Sequence, residues 1–416
     1  MNLKPVLPTI LLSALIFASC KKDDTITPAP TDPAPVITGI SPTSGPKNTV
    51  VTITGTDFGV NLSTLKVYFN GVQATVQTAT ATQITVLVPA NAGTGIVKVE
   101  KTPALIANGP AFTYTGSGWT STLSVSGPAT ALNHPSGIAK DAGGNLYVCD
   151  RDNNRIVKIT PAGVTSVFAG SGTAGFTDGT GTAAQFNQPY CIVADGSGNF
   201  YVGDRLNNAI RKITPAAVVT TLAGNGSAGS TDGTGSAASF TEPLGIAVTS
   251  TGNLYVADYG NQKIRKVTLA GVVTTAVSGY MSFGIVADAA NVIYFTNYFQ
   301  NRVFKFTEGS ATPVLVAGDI NPGTADGTGA AARFTVPAGI TVDGTGNLYI
   351  TETSGNRIRK ITPAGVVTTL SGSTAGYADG ANALFDSPIA LTGDYSNNLL
   401  YIADFNNNKI RKMIIE

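Results

Sequence analysis

From Gly245 to Thr275 the chain alternates short apolar runs with clusters of Gly, Asn and Asp. GIAV (Gly245–Val248), LYVA (Leu254–Ala257), KIRKV (Lys263–Val267) and VVTT (Val272–Thr275) are too short for helices and rich in β-branched residues. Thr251-Gly252-Asn253, Asp258-Tyr259-Gly260-Asn261 and Leu269-Ala270-Gly271 separate them. Such a pattern predicts four strands joined by three turns.

Nearly the same text recurs along the last 300 or so residues. An acidic or amide residue closes each second strand, at Asp150, Asp204, Asp258, Asn297, Glu352 and Asp404. A basic, alternating third strand follows each: RIVKIT at Arg155, AIRKIT at Ala209, KIRKVT at Lys263, RVFKFT at Arg302, RIRKIT at Arg357 and KIRKMI at Lys409. Six four-stranded units predict a propeller. The sixth unit stops after its third strand, whereas Trp119–Gly127 (WTSTLSVSG) reads as an orphan fourth strand. It is expected to complete the last blade and close the ring, removing an open edge.

Residues 36–115 read differently. VVTITG (Val50–Gly55), LKVYFNG (Leu65–Gly71), ATVQTA (Ala74–Ala79), ITVLVP (Ile84–Pro89) and IVKVE (Ile96–Glu100) are strand-like runs at sandwich spacing. Ahead of them TITPAPTDPAP (Thr25–Pro35) is a Pro/Thr linker, an extended, semi-rigid spacer. The fold class is therefore all-β: a sandwich over 36–115, then a propeller over 116–416.

Composition narrows the chemistry. A formal net charge of +1 gives no reason to expect a nucleic-acid partner. One His in 416 residues removes most His-based metal and acid–base chemistry. Cys149 and Cys191 occupy small-residue packing slots of neighbouring repeats, and whether they pair is left open. Residues 1–19 read as an export leader, with an apolar run from Val6 to Phe17 that is too short to span a bilayer.

Phe17-Ala18-Ser19-Cys20 resembles a bacterial lipobox, which implies that Cys20 is lipidated. Lys21-Lys22-Asp23-Asp24 after it resembles the export signal of Bacteroidetes surface lipoproteins. The implied address is the outer-membrane surface, with membrane contact through the lipid alone. ITGISPTSGP (Ile37–Pro46), VTITGTDFG (Val51–Gly59) and VYFNGVQA (Val67–Ala74) resemble the TIG/IPT immunoglobulin-like family, which implies a spacer or presentation module. The words P-x-G-I-A, G-N-L-Y-V-x-D, N-R-I-x-K-I-T and V-V-T-T-L-A-G resemble the NHL family, whose fold is a six-bladed propeller.

Antiparallel strands reverse direction, so turns between strands two and three share a face with the connections between blades. Two sets of residues are expected there. The first follows the anchors and varies in type: Arg151, Arg205, Tyr259, Tyr298, Phe299, Thr353 and Phe405. A varied ring on a repeated scaffold is the pattern of a binding face. The second is a set of interblade insertions, each carrying an Asp-Gly, at Asp178, Asp232, Asp326 and Asp379. They hold too few carboxylates for a calcium shell, and Phe186, Phe240, Phe334 and Phe385 read as plugs packing each loop onto its blade. The join from blade 3 to blade 4 lacks an insertion, so the face is expected to be lower there. Tyr259, Tyr280, Tyr298 and Phe299 fall in that sector, and aromatic faces beside polar groups suit sugars or peptides. The basic third strands are expected to pack on one side and be solvated on the other.

The leading expectation is a non-catalytic surface lipoprotein binding a glycan or protein through the loop face, with no metal and no cofactor. A structural role in an outer-membrane complex comes second. An enzyme of lactonase or lyase type comes third, because the only His is His134 and no Ser/His/Asp or Cys/His set can be assembled.

Overall fold

A computed structural model describes residues 32–90 and 92–415. The leader, Cys20 and the linker as far as residue 31 lie outside the described residues.

The first unit is built from strands whose alternate residues turn inward. Val51, Ile53, Val67, Phe69, Ile84, Val86, Val97, Val99 and Phe112 form its buried core, and Phe69 meets Phe112 edge-on at 5.0 Å between ring centres. Val50–Thr56 and Gln83–Leu87 pair antiparallel, and Lys66–Phe69 lies between Val72–Ala79 and Gly95–Thr102. The long strand Leu105–Tyr114 was not picked out from sequence, because Asn108-Gly109-Pro110 interrupts it with residues that ordinarily mark a turn.

The remaining strands form six antiparallel sheets ordered from the innermost strand outward. Blade 3 is typical: Pro243–Val248, Leu254–Asp258, Lys263–Val267 and Val272–Ser278. The innermost strands approach one another so closely that a Cβ on Gly137, Gly245, Gly284 or Gly339 would meet the backbone of the next blade's first strand. This favours glycine at those four positions, while Cys191 and Ala390 take the equivalent slot in blades 2 and 6.

Blade 6 is completed by Thr120–Thr122, which pairs antiparallel with Lys409–Ile414. Further bonds run from Ile414 N–H to the Trp119 carbonyl (2.9 Å) and from Leu123 N–H to the Ile410 carbonyl (2.9 Å). The ring is thus closed by a strand from the beginning of the propeller.

The interblade insertions do not build up the loop face. Each runs down the outside of the following blade as a strap. Gly179–Thr180 pairs with Val218 and Val219 on the outer strand of blade 2, and Gly181 N–H reaches the carbonyl of Ala217, in the turn at the opposite end. Gly233–Thr234 and Gly327–Thr328 do the same on blades 3 and 5. The expected lowering of the loop face near the blade 3 to blade 4 join therefore has no basis in the straps. Blade 4 is instead distinguished at the rim. Blades 1 and 6 also lack a fifth strand, but single bridges, Ser126 to Val164 and Thr120 to Gly380, touch their outer strands. None reaches Val314–Gly318 among the described residues, and Val314 and Leu315 are exposed there.

Each strap brings its Asp to a buried arginine. Arg211, Arg265, Arg359 and Arg411, all fully buried, stand in the third strands of blades 2, 3, 5 and 6. Arg265 is typical. Its Nη1 donates to Asp258 (2.8 Å), the anchor, and its Nη2 to strap residue Asp232 (2.6 Å). It also donates to the Ser239 and Thr231 carbonyls, and its guanidinium lies 5.3 Å from the centre of Phe240. The expectation of a solvated basic side fails for these residues because a third strand is flanked by the strap as well as by its own blade. Blades 1 and 4 have no strap and no such arginine: Val157 and Phe304 take the slot.

Candidate functional site

The anchors hold the loop face. Asp258, fully buried, accepts from Thr241 N–H (2.7 Å) and Asn261 Nδ2 (2.8 Å) as well as from Arg265. Asp150, Asp204 and Asp404 accept equivalent backbone and Asn bonds. Blade 5 exchanges sizes. Its anchor is Glu352, and Gly355 replaces the Asn, because a Cβ at 355 would collide with Glu352 Oε2. That oxygen is buried without a hydrogen-bond partner, and burial pushes the carboxyl up to about 7 against the pull of Arg359. After the anchor the chain makes a short 3-10 turn that ends in a left-handed residue, as at Asn154, Asn208 and Gln262.

That turn aims the varied residue inward, over the second residue of the innermost strands. There Tyr190, Leu244, Phe283, Ala338 and Ile389 form an apolar cluster with Tyr259, Tyr298 and Phe405. The cluster stands at one end of a central channel of about 270 Å³ lined by the six innermost strands. Phe283 stacks on Tyr298 (5.6 Å) and meets Tyr190 edge-on (5.6 Å). Tyr259 stands perpendicular to Tyr298 at 6.4 Å. Phe299 is 61 % exposed and 5.3 Å from Tyr298.

Two cations frame this aromatic mouth. Arg205 donates to Gln188 and, through Nη2, to both oxygens of Glu242 (3.1 and 3.2 Å), and its guanidinium lies 5.8 Å from the Tyr190 ring centre. Arg151 grips Asp152 through Nε (2.7 Å) and Nη2 (3.0 Å) and lies over Phe405 at 4.5 Å. Burial would raise the Asp152 carboxyl, but Arg151 and His134 hold it below the usual carboxylate value. Burial pushes the Tyr190 hydroxyl upward, Arg151 and Arg205 pull it back, and Tyr298 and Tyr259 add to the rise. Tyr190 therefore lies within electrostatic reach of four of the residues singled out from sequence.

Tyr280 is not among them. Gly279 and Tyr280 both donate their N–H to the Gln262 carbonyl, which folds the side chain between blades 3 and 4. It packs on Phe295 (5.4 Å) and Phe304 (5.1 Å), the position that a plug phenylalanine and its arginine occupy in the strapped blades. Tyr280 is a half-buried residue packed against the core of a strapless blade, not part of the mouth. Thr353 donates its hydroxyl and N–H to the Val336 carbonyl and serves its own turn.

Tyr190, Leu244 and Phe283 were missed from sequence, as was the placement of His134. The signal for the first three was the variable second letter of each innermost strand, in PYC, PLG and SFG. His134 joins the mouth through Asp152, whose Oδ2 lies 2.7 Å from its Nδ1, and its ring lies 4.6 Å from Phe405. No group of three or more His, Cys, Asp or Glu suited to a metal is present among the described residues. Cys149 and Cys191 are unbonded, and burial pushes both thiols up, Cys191 to about 12.

The architecture defines a class: an immunoglobulin-like unit ahead of a six-bladed propeller with an aromatic cluster at one end of its central channel. Comparison with known proteins gives that class its families. Residues 35–114 are an IPT/TIG domain, and residues 132–159 and 240–267 match the NHL repeat. The chain is 32% identical over 172 residues to Protein SUPPRESSOR OF QUENCHING 1, chloroplastic, of Arabidopsis thaliana, covering 38% of this chain and 16% of that protein. It is 27% identical over 354 residues to NHL repeat-containing protein 2 of Bos taurus, covering 70% of this chain and 47% of the relative. It thus spans less than half the length of either curated relative. An auxiliary nutrient binding protein from Bacteroides ovatus superposes with a TM-score of 0.59 at 19% identity, covering 92% of this chain and 98% of that one. A protein of unknown function from Bacteroides thetaiotaomicron superposes with a TM-score of 0.60 at 20% identity, covering 93% and 99%.

Proposed function

We propose that the chain is a lipid-anchored protein of the outer-membrane surface, held through Cys20, whose propeller mouth binds a glycan or protein ligand without catalysis. The observation that carries this reading is the gathering of Arg205, Tyr259 and Tyr298, from three different blades, around the Tyr190–Phe283 pair: Arg205 lies 5.8 Å from the Tyr190 ring centre, and Tyr259 and Tyr298 lie 6.4 and 5.6 Å from that of Phe283. Residues that differ between copies of one scaffold meet at one point, as a recognition site requires. The fold shared with a Bacteroides protein described as auxiliary nutrient binding supports a role in capture. The carboxylates a lactonase-type centre would draw on are engaged elsewhere: Asp141, Asp195 and Asp343 each accept from an Asn and a Tyr in the turn after the innermost strand.

Capture of glycan from a cell-surface extract tests the reading, with wild type compared against Tyr298→Ala and Phe299→Ala. Loss of capture in both variants is expected, and unchanged capture would overturn the site.

A second reading, docking within an outer-membrane assembly, is favoured by the bare outer strand of blade 4 with exposed Val314 and Leu315. On that reading Leu315→Lys breaks co-purification with a membrane partner, whereas Tyr298→Ala does not.

A further inference from the structure

We infer that the ligand at the mouth is an uncharged saccharide; this deepens, and rests on, the capture reading above. The argument begins with charge. Both cations of the mouth are neutralised on the spot, Arg151 by two bonds to Asp152 and Arg205 by two bonds to Glu242. A bidentate guanidinium–carboxylate pair has little left to offer an anionic ligand, and removing its carboxylate partner is costly. Basic residues without a carboxylate partner, such as Lys263 and Lys409, begin third strands and so lie two strands farther from the axis.

The second observation concerns hydroxyls. The Tyr190 side chain is mostly buried at 7% exposure, and its hydroxyl, like those of Tyr259 and Tyr298, makes no hydrogen bond within the protein among the described residues and is not among the buried unpartnered atoms, so all three open toward the mouth. Three phenols with open donor and acceptor capacity, gathered around one apolar floor, lack only a polyhydroxylated partner. A pyranose supplies hydroxyls at its edge and a C–H face for an exposed ring, here Phe299 beside Tyr298.

A peptide fits less well. It would pair with an open strand edge or seat a side chain in an apolar pocket. At the mouth the innermost strands turn their edges to the channel, and the apolar positions are already packed against one another.

Titration calorimetry of the full chain with neutral hexasaccharides (of glucose, xylose and mannose) and with hexagalacturonate tests this. A neutral sugar is expected to bind with an affinity unchanged between low and high salt. Tyr190→Phe, which removes one hydroxyl and keeps the floor, and Phe299→Ala, which removes an exposed ring, should each weaken binding by about tenfold. Tighter, salt-sensitive binding of hexagalacturonate would overturn the inference and leave the capture reading standing. Binding of a casein peptide digest in place of every neutral sugar would do the same. Failure of all these probes, together with extract capture indifferent to Tyr298→Ala and Phe299→Ala, would overturn both.

Discussion

Replacing Arg265 by Met tests the account of the straps. The substitution keeps most of the side-chain length and removes the guanidinium. Asp258, fully buried, then keeps Thr241 N–H and Asn261 but loses its only cation. Breaking a buried pair by removing one partner costs about 3–5 kcal/mol. The strap side adds little, because Asp232 is 48% exposed and a pair with one solvated partner contributes about 1 kcal/mol or less. The double variant Asp258→Asn/Arg265→Met should recover about 1–3 kcal/mol of the loss, since no uncompensated charge remains. Blade 4 already lives with this solution, carrying Asn297 and Phe304 at the two positions. The assay is urea unfolding followed by fluorescence. Trp119, the single tryptophan, flanks the closing strand of blade 6, across the ring from blade 3, so it reports the whole ring. A single-variant loss below about 1 kcal/mol, or a double variant no better than the single, would refute the buried-strut reasoning.

Other outcomes follow from the same geometry. Burial would raise the strap carboxyls of Asp178, Asp232, Asp326 and Asp379, but arginine and threonine donors hold each below its ordinary 3.8. A depressed folded-state value means that their contribution is complete above 3.8 and is lost as pH falls through the lowered values. Hydrogen exchange at the Thr221, Thr275 and Thr369 amides, which donate to these carboxylates, should accelerate in that acid window before the core amides do. Glu352 has the opposite sign. Its value is raised to about 7, so its contribution is present below 4.5 and lost as pH rises through 7. Glu352→Gln should flatten that part of the urea-midpoint profile against pH. Gly245→Ala should destabilise by about 1–3 kcal/mol in the same assay, because its methyl meets the Phe283 carbonyl of the next blade. Thr120→Pro removes the N–H that donates to the Gly380 carbonyl (3.1 Å) at the closure, and should lower the midpoint more than the same change at exposed Thr173.

Much of the scaffold was legible in the sequence because each blade repeats the same local chemistry. Short apolar runs, Asn at left-handed positions and Asp before the turn all act over a few residues. The orphan strand at Thr120 was legible through arithmetic: one end of the chain had a strand too many and the other one too few. What escaped notice was non-local. The third-strand arginines alternate with Ile as a half-solvated strand does, and only the strap, arriving from the preceding connection, buries them. A trace of this was present, since Arg211, Arg265, Arg359 and Arg411 occur only where an Asp-Gly insertion precedes the blade. Tyr280 was misplaced because nearness in sequence to a loop was read as exposure. Tyr190 and Phe283 are hard to pick out because Pro189-Tyr190-Cys191 and Ser282-Phe283-Gly284 each depart from the repeated P-x-G word at one end.

The strap that follows one blade in sequence belongs structurally to the next. The unit that could be moved intact between rings is therefore not a sheet. It runs from the start of a strap to the end of the following outer strand, as from Gly170 to Ala223, and carries Asp178, Asp204 and Arg211 together. A graft cut at the edges of the sheet would leave the arginine in one parent and one of its acids in the other. For recombination or engineering of new mouths, viable crossover points lie ahead of the straps, so that each buried arginine travels with both of its acids, while the Arg205–Glu242 pair spans two such units and has to be kept together.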